Sequence, residues 1–185
     1  MSEFTGAAGS ATADARSYTA AILGTLGERD PFDVLRGTAA AVRRTVAGLP
    51  AEVVGAPERP GKWSMLQVVQ HLADAELVGA FRYRMILAHD RPSLQGYDQD
   101  RWADCLRYDD ADLAGALEQF AVLRAANLRL LERTSPAERG RVGLHAERGE
   151  ESISHMLRMY AGHDLVHLRQ LARIQRAVTL SGAPG

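Results

Sequence analysis

The chain has 185 residues, 46 % hydrophobic and 24 % charged, which suffices for one domain with a full core. Its formal net charge of −1 leaves no electrostatic footprint for nucleic acid or an acidic membrane surface. A lone cysteine, Cys105, excludes a disulfide framework, and the absence of a basic-then-apolar opening or a membrane-length apolar run points to the cytoplasm. In chain order, residues 1–15 are small and polar and read as a loose tail, followed by a single domain over 16–180. A short helix is expected over Ser17 to Leu26. The next helix starts at "DPFDVL", with Asp30 as N-cap and Pro31 at its first position. "PAEVVGAPERPGKW" is a connector rich in proline and glycine and holds Lys62, the one lysine among 22 basic residues. Ser64 caps a long amphipathic segment from Met65 to about His89. A loop, "DRPSLQGYDQD", leads to a short helix near Arg101 to Leu106. A strong helical pattern covers Asp110 to Arg133, a second long connector runs through "SPAERGRVGLHAERGEES", and the last helix spans about Ser152 to Val178. No alternating β pattern persists. Four main amphipathic helices make an all-α bundle.

Two residues sit oddly on the last helix. In "MYAGHDLVHLRQLARIQ", His163 and His167 occupy the inward stripe of Tyr160, Leu171 and Ile174. Residues four apart on a helix have Cβ atoms about 5–6 Å apart on one face, so both imidazoles can reach one ion. The alternative is a pair of core histidines, each bonded to a carbonyl or an acid; burying both without partners costs a few kcal/mol. A metal needs a third ligand. His155 is too far along the axis, roughly 12 Å from His163 at 1.5 Å per residue. His145 in the connector and His89 beside Asp90 read as solvated. His71 falls on an inward stripe with Val68, Ala75 and Val78 of another helix, and would complete a three-nitrogen site with positions left open.

These segments resemble the DinB/YfiT-like family. "GKWSMLQVVQHLADAE", "GYDQDRWA" and "HDLVHLRQL" are similar to its first signature, middle loop and last helix, across about residues 31–178. The resemblance implies an antiparallel four-helix bundle with one divalent metal on His71, His163 and His167. It also implies a homodimer, the commonest soluble assembly, and thiol S-transfer with bacillithiol or mycothiol as a possible activity in detoxification or stress response. Zinc or nickel are the expected ions, with iron or manganese as alternatives, because imidazole suits several metals. The "HDLVH" run imitates the His-Glu-x-x-His of zinc peptidases, but Asp164 stands where their glutamate acts.

Several other residues admit two readings. Asp74 is one turn after His71 and either orients an imidazole or is a surface charge facing an arginine. Gln170 returns to the face of His163 and suits a polar pocket. Arg82 shares the His71 face and either reaches a substrate carboxylate at the bundle mouth or snorkels to solvent. Asp164 reads as a salt-bridge residue, Trp63 as packing at a helix entrance, and Cys105 as an inert, partly buried thiol. A three-histidine ion can activate a thiol for transfer or water for ester or amide hydrolysis. A non-catalytic metal or small-ligand module is the third possibility. The expected partner is a small-molecule substrate.

Overall fold

Two capped starts anchor the helices that matter. Asp30 Oδ1 accepts from the backbone N–H of Asp33 at 3.0 Å, with Pro31 at the first helical position, and Ser64 and Gln67 form a reciprocal capping box. The computed structural model describes residues 11–181, with side chains over 17–179. The first ten residues of the expected tail lie outside the described residues, and helix α1 (Ala11–Leu26) begins directly after them. There follow α2 (Pro31–Val46), α3 (Ala51–Gly55), α4 (Met65–Ala88), α5 (Gln99–Cys105), α6 (Leu113–Leu131), α7 (Pro136–Arg139) and α8 (Ile153–Ser181). The four long helices of the bundle are α2, α4, α6 and α8, and α1 lies on α8.

Side-chain pairings give the directions. His71 meets His163, and Gly79 lies against Tyr160, so α4 and α8 run antiparallel. Asp74 bonds Gln119 and Arg84 bonds Asn127, so the contacts climb together and α4 and α6 run the same way. Two consecutive parallel helices need a long return, which residues 89–112 provide with α5 and a 3-10 turn at Tyr108–Asp110. On α8, Gly162 is the contact point for α1. A Cβ there would stand 2.3 Å from the Ile22 carbonyl oxygen, so no larger residue allows this approach.

The all-α bundle carries one small sheet beside it. Strands β1 (Ser93–Leu94), β2 (Val142–His145) and β3 (Gly149–Ser152) stand in the order β1-β2-β3, with β1 parallel to β2 and β2 antiparallel to β3. Gly149, at φ +78°, supplies the left-handed backbone at the hairpin turn. Four-residue strands are too short to leave a period-two signal.

The core divides into two apolar clusters. One gathers Val42, Leu72, Phe120, Leu171 and Ile174; the other holds Leu35, Tyr83, Ile86, Leu131 and Leu157. Between them, at mid-bundle, lies a layer of buried charge. Arg124 pairs with Glu76 at 2.9 Å and with Asp164 at 2.6 Å, and also donates to the Leu35 carbonyl. Burial works against the guanidinium's charge, and the two carboxylates overcome it, so its pKa is raised above the ordinary arginine value.

Candidate metal centre

Position along α4 follows from its cap. With Ser64 holding the start, His71 falls about two turns in and faces α8, where His163 and His167 stand one turn apart. The His71 Nε2 is 3.0 Å from the His163 Nε2, which is 3.1 Å from the His167 Nε2. Two nitrogens held about 2.1 Å from one ion at a right angle would be separated by about 3.0 Å, so the spacing fits a shared ligand set. Among the described residues, this trio is the one grouping with ligand atoms that close, all within 4.8 Å.

The tautomers favour that use. Gln170 Oε1 lies 2.7 Å from the His167 Nδ1 and accepts its proton, leaving the Nε2 lone pair aimed at the centre. Burial holds His71 and His163 well below the usual histidine pKa, with neighbouring imidazoles adding to the effect. His167 is also lowered by burial, against the opposing effects of its hydrogen bond to Gln170 and the charge of Asp164. All three are therefore neutral at pH 7, the form that ligates. Lone pairs converging at 3.0–3.1 Å repel unless a proton or cation lies among them, and one cation satisfies all three. The donor set fits a divalent ion. His71 and His167 are buried and His163 is half-buried.

Comparison with known proteins agrees with this arrangement. The sequence profile of the DinB superfamily matches residues 35–171. The chain belongs to the DinB superfamily. A relative from Geobacillus kaustophilus, GK0616, is 30 % identical over 146 residues, spanning 77 % of this chain and 80 % of its own. OB0782 from Oceanobacillus iheyensis is 28 % identical over 133 residues, spanning 72 % and 77 %. Both are named, provisionally, metal-dependent hydrolases. The solved structure of YfiT from Bacillus subtilis shares the fold, with a TM-score of 0.71 at 24 % identity over 77 % of this chain and 84 % of YfiT. It is described as a probable metal-dependent hydrolase with an unusual four-helix bundle topology.

The remaining residues of this DinB protein fall into place around the centre. Gln170 supports His167 as the spacing allowed. Asp74 does neither thing expected of it: buried, it accepts from the Tyr108 hydroxyl at 2.7 Å, and from Gln119 and Gln70. Three residues past His71, it points about 60° away from α8 and toward α6. Burial, together with this bond, pushes the Tyr108 phenol well above its usual pKa. Asp164 takes the Arg124 guanidinium, which removes it from any peptidase-like role. Trp63 packs at the entrance of α4, its ring 5.1 Å from that of His71. Arg82 does not snorkel; it is 6 % exposed and donates to the Gln95 carbonyl. His145 is not solvated either, but buried in β2 beside Arg82. His89 is exposed and His155 half-buried. Cys105 is exposed at the end of α5 rather than partly buried. Sequence reasoning missed Arg124, Glu76 and Asn127. Their only sequence signal was a set of charged or polar residues on inward helical stripes, such as Arg124 one turn after Phe120.

Proposed function

We propose that this DinB protein is a metal-dependent enzyme that binds one divalent ion, zinc or nickel, on His71, His163 and His167 and activates a small nucleophile beside it. The carrying observation is the convergence of three neutral imidazole nitrogens, with neighbouring pairs at 3.0–3.1 Å. With three protein ligands, coordination positions remain for nucleophile and substrate. An ion held there supplies the positive charge that draws a proton from a coordinated thiol or water.

Thiol transfer is the reading favoured by the carboxylates. Asp74 is bonded to Tyr108 and Gln119, and Asp164 and Glu76 are paired with Arg124. None is free to protonate a leaving nitrogen, which amide hydrolysis requires and addition of a thiolate to a soft electrophile does not. The cosubstrate is a low-molecular-weight thiol such as bacillithiol or mycothiol, and the setting is cytoplasmic detoxification or stress response. The names of the relatives favour metal-dependent hydrolysis as the second reading.

The test is a pair of assays on one metal-loaded sample. Thiol transfer gives conjugation of the added thiol to a haloaromatic or bimane, lost in His71→Ala and kept in Cys105→Ser. Hydrolysis gives turnover of an activated ester or amide with no thiol. Absence of stoichiometric zinc and nickel in the wild type, or no loss of metal in the double replacement of His163 and His167 by alanine, overturns the metal reading.

A further inference from the structure

Arg82 lies eleven residues after His71 on α4, close to three full turns, so it shares that face about 16 Å along the axis. Among the described residues it forms no ion pair. The acid nearby, Glu151, gives both oxygens to Arg148, at 2.6 and 2.9 Å. The Arg82 Nη2 reaches the Gln95 carbonyl, but Nε is buried with no partner at all. Arg124, buried to a similar degree, is met by two carboxylates. A buried cation with no direct ion pair is costly, and Arg82 is such a cation; the Glu151 carboxylate acts on it only through space.

His145 sharpens the picture. Its Nε2 stands 3.4 Å from the Arg82 Nη2, while the backbone N–H of Glu147 donates to its Nδ1 at 3.2 Å. A neutral imidazole has one acceptor nitrogen and one N–H. Since Nδ1 is the acceptor, the proton is on Nε2. The imidazole is neutral at pH 7, because burial and the charge of Arg148 bring its pKa down to about 4. The contact between the two side chains is therefore donor to donor; the Gln95 carbonyl serves the Arg82 Nη2, and the buried Nε–H beside it has no acceptor. Gly96 borders the gap, where a Cβ would come within 3.3 Å of the His145 Cε1 and 3.5 Å of the Glu147 Oε1, so the exposed Glu147 carboxylate stands at its rim. One turn back toward the histidines, the Tyr160 hydroxyl lies against Gly79, where a Cβ would be 2.9 Å from it. Burial holds that phenol up at about 12, so it too keeps its proton.

We infer that Arg82 and the Nε2–H of His145 form a receptor for a carboxylate on the substrate or cosubstrate. The reacting end of that molecule lies toward the three histidines on the same face of α4; this half rests on the metal-dependent reading above. Two donors, the Nε–H of Arg82 and the Nε2–H of His145, match the two oxygens of a monoanionic carboxylate, and with Glu147 and Glu151 nearby the site falls short of a phosphate dianion. Arginine on a helix leans toward the N-terminus, so the spacer between carboxylate and reacting atom is roughly 10 Å.

The metal-free full-length chain is titrated with sodium hexanoate, following the melting temperature and the 15N–1H resonance of the Arg82 Nε. The resonance shifts saturably, and the melting temperature rises by about 3 °C at ten times the dissociation constant. Hexanol and inorganic phosphate do neither. Arg82→Met abolishes the response and melts no lower than the parent, because an unpaired buried charge has gone. Arg82→Lys keeps the charge without the fork and binds hexanoate about tenfold more weakly. A parent that ignores hexanoate, an equal response to hexanol or phosphate, or a full response in Arg82→Met overturns the receptor. Should Arg82→Met fail to fold, parent-like affinity in Arg82→Lys overturns it instead. Hexanoate is bound without metal, so failure of zinc and nickel to bind leaves this result standing.

Discussion

Removing the cation from the mid-bundle charge layer should cost more than any single apolar truncation nearby. Arg124→Met keeps an unbranched apolar stem and deletes the contacts to Glu76, Asp164 and the Leu35 carbonyl, together with stacking over Phe120 at 4.8 Å. It leaves two carboxylates, 4 % and 1 % exposed, facing the space the guanidinium filled. Breaking a buried pair by removing one partner costs about 3–5 kcal/mol. For a chain of this size that corresponds to a melting temperature lower by about 6–20 °C. The triple variant with Glu76→Gln and Asp164→Asn removes the stranded charges and should recover at least half of the loss. Urea denaturation followed by far-ultraviolet circular dichroism measures both. A loss below about 1 kcal/mol in Arg124→Met, or a triple variant no more stable than the single one, would refute the reasoning.

Gln170→Leu should weaken zinc or nickel binding by about 10–100-fold in a chelator competition, because it frees the His167 ring, while Asp74→Asn should leave metal affinity unchanged. His145, flanked by Arg82, Arg148 and Glu151, titrates near pH 4 when folded and near 6.5 when unfolded. Its folded pKa is the lower one, so the unfolded chain takes up the proton first and stability falls as pH drops from about 6.5 to 4. His145→Gln should flatten that slope by roughly 2 kcal/mol once solvent screening is allowed for; an unchanged slope in urea melts at several pH values counts against it. We propose that the exposed apolar residues Leu77 (48 %), Phe81 (64 %) and Val122 (60 %) on neighbouring α4 and α6 join two copies. Light scattering should then return about twice 20.1 kDa for the parent and 20.1 kDa for Phe81→Glu.

Local signals read well in this chain. Asp30 with Pro31, and Ser64 with Gln67, carry their caps within four residues, so the starts of α2 and α4 were legible without tertiary information. The histidine trio was legible because His163 and His167 share one turn and His71 broke an otherwise oily stripe. What depended on long-range pairing was hidden. The parallel run of α4 beside α6 shows only in contacts such as Asp74 with Gln119, 45 residues apart. The hairpin of β2 and β3 has strands too short for alternation to register, so His145 seemed to lie in a loop. Asp74 was misjudged because a helical wheel gives an angle but not what stands at that angle, here the Tyr108 hydroxyl.

The separation of His71 from His163 along the chain, 92 residues, has a consequence for how the protein is made. Synthesis proceeds at about 5–20 residues per second, so roughly 5–20 s pass between the appearance of the first imidazole and the second. During that interval α4 has left the ribosome with the inward face that α8 will cover still bare. Asp164, one of the two carboxylates that neutralise Arg124, arrives just as late. A nascent chain cannot hold an ion on all three histidines, nor complete its buried charge layer, until the last helix emerges. Any ion shared by the three histidines must therefore wait for the same late event as closure of the bundle, and a chain stopped before α8 would leave the apolar face of α4 bare and Arg124 without Asp164.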